Sequence, residues 1–212
     1  MEASRMSHLI VYVIVLFNFF IIQGFKIEKF QEIQDKEQVI NIINNNKTNY
    51  FMVVPEGFSD VQRIDYIIDK LNNFEDLYVL KDNLEVLGMI TLIKRPAPSN
   101  EYAEKLKLLG EYYANFIQMM LSDPSLPEKS DTFVMRVSLI IKENHRNKGY
   151  GKKLMRFAES FAKQDPEIQA ITLNVKDENL AAIKLYESLG YKKICHNTKI
   201  KQISYRLSLY SL

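Results

Sequence analysis

A strand, a glycine-containing turn and a helix follow one another without a break between residues 132 and 162, and this unit constrains the fold most. Residues 132–141 are rich in β-branched side chains, which predicts a buried central strand. The helix is indicated by apolar residues at helical spacing: Leu154, Phe157, Ala158, Phe161 and Ala162. The order predicts an α/β domain in which the turn leads directly into a helix N-terminus.

The turn between them has the chemistry of a phosphate site. The first N–H groups of a helix lack internal partners and carry partial positive charge. Gly149 and Gly151 let the backbone approach a bulky anion. Four cationic residues add charge at the same place: Arg146, Lys148, Lys152 and Lys153. The spacing fits neither a P-loop nor a dinucleotide fingerprint, because Lys-Ser/Thr is missing and Leu154 follows the glycines.

A second strand and helix come shortly afterwards. Residues 170–175 form another β-rich run, and residues 180–189 carry apolar side chains on one helical face. Gly190 is well suited to end that helix, since glycine accepts the left-handed conformation. The sequence over 179–191 reads N-L-A-A-I-K-L-Y-E-S-L-G-Y.

These two motifs resemble the signatures of the GNAT family of N-acetyltransferases. The first is R-x-x-G-x-G at 146–151, and the second, at 179–191, is most similar to the ribosomal-protein alanine and N-terminal acetyltransferase type. The resemblance implies a single α/β domain over residues 25–212. Its sheet would be mixed, mostly antiparallel and twisted, with a central splayed parallel pair and flanking helices.

The resemblance also implies acetyl-CoA as co-substrate and assigns residues to it. The pantetheine arm would pair with the backbone of Leu139, Ile140 and Ile141, and Arg146 would add charge. The pyrophosphate would lie against the backbone of Asn147, Lys148, Gly149, Tyr150, Gly151 and Lys152. Asn179 would contact the cofactor arm, and Tyr186 would be the general acid that protonates the departing thiolate, although a tyrosine on an apolar helical face also suits the core.

The expected reaction is direct attack of a neutral primary amine on the thioester, with a backbone N–H near Ile141 stabilising the oxyanion. The acceptor is left open between a protein N-terminus, a lysine and a small amine such as an amino sugar. Asn174 stands where the alanine acetyltransferases have a glutamate base, so the base is a water or another residue, with Glu143, Glu178 and His145 as candidates. The alternative is a catalytically idle acetyl-CoA-binding sensor or interaction module.

The rest of the chain narrows the function further. The single Cys195 and three scattered histidines argue against a disulfide framework and against a metal site. A net charge of +2 gives no argument for nucleic-acid binding. Earlier elements are expected as a strand at 26–30, helices at 35–45 and 59–74, and a hairpin of 77–80 with 85–93. A helical insertion is expected at about 96–131.

The first 24 residues differ in kind from the remainder. Residues 9–22 are apolar except for Asn18, a run that is short for a membrane span but typical of a signal-peptide core. We therefore expect 1–24 to be a signal peptide or N-terminal anchor, with possible membrane contact through 9–22. Localisation would be secretory or membrane-associated in that case and cytoplasmic otherwise. The sequon at Asn46 matters only on the secretory route.

Overall fold

A computed structural model describes residues 24–46, 76–96, 133–198 and 201–210, together with Ser59, Gln62, Tyr66 and Asp69. Its sheet has seven strands: β1 (Phe25–Lys29), β2 (Leu77–Asp82), β3 (Glu85–Pro96), β4 (Phe133–Ile141), β5 (Ile168–Lys176), β6 (Lys192–Asn197) and β7 (Gln202–Ser208). Three helices have described bounds: α1 (Glu32–Asn45), α2 (Tyr150–Ala162) and α3 (Leu180–Ser188). A short 3₁₀ helix, Glu143–His145, links β4 towards α2.

The spatial order of the strands is β1-β2-β3-β4-β5-β7-β6. The β4–β5 pair at the centre is parallel, and every other neighbouring pair is antiparallel. The expected single α/β domain with a mixed, mostly antiparallel sheet and flanking helices is confirmed.

The two faces of the sheet pack against different helices. On one face, α2 and α3 bury residues such as Leu154, Met155 and Tyr186 against Leu173 and Tyr205 of the sheet. On the other face, α1 packs against β2, β3 and the end of β4. Because side chains alternate along a strand, the residues of β5 and β7 divide cleanly between these faces.

Where the structure describes them, the predicted element bounds agree to within three residues. The largest differences are at β3, which runs to Pro96 rather than 93, and at α1, which begins at Glu32 rather than 35. Its first turn holds Glu32 and Asp35, acidic residues that are favourable at a helix N-terminus. Ser59 and Gln62 exchange capping hydrogen bonds of 2.9 and 3.3 Å, as expected for a helix starting there. The strand β7 is not among the predicted elements.

Two predicted features fall on other parts of the chain. The signal or anchor at 1–24 and the helical insertion at about 96–131 lie outside the described residues, apart from Gly24 and Pro96. Within the described ranges, no helix is both long and apolar enough to cross a membrane.

Candidate active site

The central parallel strands separate to form a V-shaped opening. Their register runs from Phe133 opposite Ile168 to Arg136 opposite Thr172, whereas β4 continues to Ile141. Past Arg136, that edge of β4 has no strand partner among the described residues. Its backbone N–H and C=O groups can therefore pair with an extended ligand. Leu139, Ile140 and Ile141, which the resemblance assigned to the pantetheine arm, all lie on this stretch.

Gly88 lies on β3, the strand that pairs with the other edge of β4, and it determines how close β4 lies to β3. It lies opposite Ile141 in the antiparallel β3–β4 pair. A Cβ atom at Gly88 would come within 2.7 Å of Ile141 Cδ1 and 2.8 Å of the Ile140 carbonyl oxygen. Glycine is therefore required here for β4 to lie as close to β3 as it does. Local sequence patterns do not single out Gly88, since the contact depends on the strand register.

The turn after β4 has the backbone conformation of an anion-binding site. Asn147 and Gly149 both have positive φ angles, 61° and 82°. Gly149 is the N-cap of α2, and no atom of the described residues lies within 4 Å of where its Cβ would be. Left-handed residues beside a helix N-terminus turn successive N–H groups towards one point. The Asn147–Lys152 backbone therefore forms a concave surface suited to a pyrophosphate.

The cationic side chains of the turn have different contacts from one another. The guanidinium of Arg146 donates to Asn46 Oδ1 at the end of α1, and its Nε donates to the Ile141 carbonyl over 3.4 Å. Lys153 lies 4.5 Å from the ring centre of Phe25, in a cation–π contact. Lys148 and Lys152 are exposed. Arg146 thus fixes the turn to α1, while Lys148 and Lys152 extend into solvent.

A second set of contacts fixes the 3₁₀ helix that begins the turn. Glu85 lies 2.5 Å from Lys142 Nζ and 3.4 Å from His145 Nε2. The hydrogen bond from Lys142 lowers the pKa of the Glu85 carboxyl. His145 is therefore engaged at the β3 hairpin, and it lies beyond the open end of β4. This placement gives no support to His145 as the general base.

The helix α3 presents the two second-motif residues. Asn179 is its N-cap, and its Oδ1 accepts from the Ala182 N–H over 3.2 Å. At the other end, Gly190 N donates to the Glu187 carbonyl and Tyr191 N to the Tyr186 carbonyl, both over 3.0 Å. With Gly190 at φ 86°, this is a Schellman motif.

Tyr186 lies inside the main core, 7% exposed. Its ring centre is 6.1 Å from those of both Tyr191 and Tyr205. Burial raises the pKa of the Tyr186 hydroxyl well above its ordinary value. The hydroxyl of Tyr186 therefore stays protonated at any physiological pH. The packing of the ring is that of a core residue, and it is also compatible with a role as the acid.

On the sheet face away from α2 and α3, a neutral hydrogen-bonded pair occupies the position where the alanine acetyltransferases have a glutamate. Asn174 Oδ1 accepts from Ser204 Oγ over 2.9 Å across β5 and β7. Glu178 is exposed and lies 3.7 Å from Lys176. Cys195 pairs in register with Ser204 and His196 with Ile203, so the side chains of Cys195 and His196 point to opposite faces of the sheet. No cluster of three metal-binding side chains occurs within the described ranges.

Comparison with known proteins decides the family. The model of the Acetyltransferase (GNAT) family matches residues 39–191, which is most of the chain. The chain belongs to the GNAT family. The expected resemblance to this family is thereby confirmed.

The individual relatives described below have low sequence identity to this chain or match only a short part of it. An uncharacterized N-acetyltransferase, YobR of Bacillus subtilis, is 35% identical over 66 residues, which span 31% of this chain and 26% of that protein. The yncA protein of Salmonella typhimurium, solved with its cofactor acetyl-CoA, superimposes with a TM-score of 0.56 at 14% identity, over 90% of this chain and 96% of that chain. A ribosomal-protein-alanine N-acetyltransferase of Brucella melitensis gives 0.55 at 15% identity, over 86% and 99%. At these identities the structures show the shared GNAT fold.

Proposed function

We propose that this GNAT protein is an acetyl-CoA-dependent N-acetyltransferase that acts on a primary amine. The observation that carries the proposal is the continuity of two binding surfaces. The β4 edge, which has no strand partner in the described part of the chain and ends at Ile141, leads within a few residues into the left-handed turn and the N-terminus of α2. One surface suits the amide-containing arm of coenzyme A, and the other suits its pyrophosphate.

In this proposal the cofactor is bound largely by backbone. The pyrophosphate accepts hydrogen bonds from the N–H groups of residues 147–152, and the arm runs back along β4 from Ile141 towards the point where β4 and β5 meet. Asn179 uses its amide oxygen to cap α3, which leaves its amide nitrogen as the donor to the arm. The thioester then lies inside the V-shaped opening.

The chemistry requires three proton and charge movements. The amine must attack in its neutral form, so its proton passes to water or a base while the C–N bond forms. A backbone N–H near Ile141 stabilises the oxyanion. When the C–S bond breaks, the thiolate receives the proton of Tyr186, which regains one from solvent. Burial raises the pKa of the Tyr186 hydroxyl, so the proton to be donated is present at neutral pH. The same raised pKa makes the hydroxyl a weaker acid than an exposed tyrosine.

The acceptor class stays open among a protein N-terminus, a lysine and a small amine such as an amino sugar. Asn174 does not supply a carboxylate base, and its amide oxygen already accepts a hydrogen bond from Ser204 Oγ. This neutral pair is the observation that favours the second candidate, an acetyl-CoA-binding module without turnover. The signal or anchor role of residues 1–24 is kept as a separate proposal, tested by fusing 1–30 to a secretion reporter.

The test follows release of free thiol from acetyl-CoA in the presence of a panel of primary amines. Wild-type protein is expected to release thiol with at least one amine. Tyr186→Phe is expected to lower kcat while the Kd for CoA stays near the wild-type value, because only the donated proton is lost. Unchanged kcat in Tyr186→Phe would make Tyr186 a core residue only. Tight CoA binding without any thiol release would favour the binding module.

A further inference from the structure

A row of four side chains, three of them cationic and one a threonine, crosses the sheet at the apex of the V-shaped opening. Arg136 pairs in register with Thr172, Thr172 with Arg206, and Arg206 with Lys192. Because the strands are about 4.8 Å apart, the Cα atoms of the two arginines are about 10 Å apart. The Arg136–Thr172 pair is also the last parallel pair before β4 and β5 separate.

All four side chains of this row lie on the sheet face away from α2 and α3. The alternate residues of β5 and β7, such as Leu173 and Tyr205, belong to the core that α2 and α3 cover. Thr172 and Arg206 therefore point to the other side. Since the α2 face is filled by packed side chains, we place the approach of the acceptor on the face that carries the row, where Arg136 is exposed.

The four strands that form this region carry no acidic residue. The segments β4, β5, β6 and β7 contain five cations and neither aspartate nor glutamate. Arg206 is only 5% exposed, whereas Arg136 is exposed. Both arginines make further contacts within the chain, but a guanidinium has five donors and can serve several acceptors. Three of these five cations, Arg136, Arg206 and Lys192, belong to the row, which therefore brings positive charge to the apex of the V-shaped opening.

From this placement we propose that the acceptor amine carries a second, anionic group, a carboxylate or a phosphate, bound by Arg136 and Arg206. This inference rests on the proposed acetyltransferase function and narrows its acceptor. The planar guanidinium binds both anions through paired hydrogen bonds, and the Thr172 hydroxyl between the two arginines adds a donor. Anion binding on the row places the attached amine at the apex of the opening.

The first arm of the test compares amines that differ only in the anion. β-Alanine is measured against β-alaninamide, and phosphoethanolamine against ethanolamine, with acetyl-CoA saturating. In at least one pair, kcat/KM is expected to be about tenfold or more higher for the anionic amine, as charge-assisted hydrogen bonds predict. The pair that shows the preference identifies carboxylate or phosphate as the group recognised. Equal values in both pairs would overturn the proposal.

The second arm assigns the preference to the row. Arg136→Met is expected to reduce the ratio of the two kcat/KM values by about tenfold while the KM for acetyl-CoA is unchanged. Lys193→Met is the matched control, since Lys193 lies on the same sheet but points to the other face beside Tyr205; it should keep the wild-type ratio. Arg136 is exposed, so this variant decides the question even if the buried Arg206→Met does not fold. An unchanged ratio in Arg136→Met would contradict the assignment.

A binding measurement separates this inference from the proposed function. Calorimetry of the CoA-saturated protein with each of the four amines needs no turnover. The anionic amine of a pair could bind to wild type, bind more weakly to Arg136→Met, and yet cause no thiol release from acetyl-CoA. That result would support the anion site and reject the transferase function. Thiol release with no anion preference in either rate or binding would retain the transferase and reject the anion site.

Discussion

The backbone N–H of Tyr191 donates to the carbonyl of Tyr186 over 3.0 Å, so the end of α3 directly holds the residue proposed as the acid. Their rings also lie 6.1 Å apart, which adds the apolar contact that accompanies a Schellman motif. Gly190 makes the turn between them possible through its φ of 86°. The spacing of tyrosine, glycine and tyrosine in the second motif is therefore a structural device for positioning Tyr186.

Replacing Gly190 tests this device. In Gly190→Ala the added Cβ meets, among the described residues, only Leu207 Cδ1 at 3.9 Å, so the cost is the left-handed backbone itself. We expect the free energy of unfolding in urea to fall by about 1 kcal/mol. Gly190→Asn should lose less, because asparagine tolerates this conformation better. Equal stability of Gly190→Ala and wild type would contradict the role given to the turn.

Gly88 offers a test of the β4 edge. In Gly88→Ala the Cβ overlaps the Ile140 carbonyl oxygen, so β4 must move and both stability and acetyl-CoA affinity should fall. The double variant with Ile141→Val removes the clash with Ile141 Cδ1 only, so it should recover part of the loss. Gly24→Ala, whose Cβ has ordinary contacts of 3.8 Å or more, is the control. Thermal unfolding and calorimetry with acetyl-CoA check both effects.

A buried ion pair joins α1 to the sheet. Lys81 Nζ lies 2.6 Å from Asp35, and the side chains of Lys81 and Asp35 are 7% and 1% exposed. Lys81→Met leaves the Asp35 carboxylate buried without its cation, and we expect a loss of about 3–5 kcal/mol in unfolding free energy. Adding Asp35→Asn should restore part of it while preserving an acceptor for the Gln31 N–H. If Lys81→Met alone were as stable as wild type, the stabilising role given to the Lys81–Asp35 ion pair would be contradicted.

The pH dependence of turnover tests Tyr186 separately. The acid must be protonated, and burial raises its pKa, so the active range extends upward rather than ending near pH 10. The neighbouring Tyr205 follows the same trend, since burial and its bond to Glu187 raise its pKa to about 12. We therefore expect kcat to show no Tyr186-dependent decline up to pH 10. A decline below pH 10 that disappears in Tyr186→Phe would contradict the raised pKa.

Local sequence patterns predicted the parts of the site that depend on local geometry. Gly190 after α3 has the left-handed conformation predicted for it, and the predicted Gly149 stands at the start of α2 with a φ of 82°. The contacts that depend on strand register were not predicted. Arg146 and Asn46 are 100 residues apart in the chain, and Asn174 meets Ser204 through β7, which the sequence patterns did not indicate.

The contact between Arg146 and Asn46 also bears on the sequon at 46–48. Asn46 is 6% exposed, its Nδ2 donates to the Ile42 carbonyl over 2.6 Å, and its Oδ1 accepts from Arg146. Both ends of the side-chain amide are therefore engaged in the folded domain. A three-residue pattern alone carried no information about this burial.

The most direct measurement is calorimetry of the purified protein with acetyl-CoA and with CoA. We predict saturable binding of both by wild-type protein, and its loss in a folded Gly149→Val variant, because a β-branched residue does not fit at φ 82°. Circular dichroism confirms that the variant is folded. Absence of binding heat with the wild type, or equal affinity in Gly149→Val, would contradict the assignment of the turn after β4 as the cofactor site.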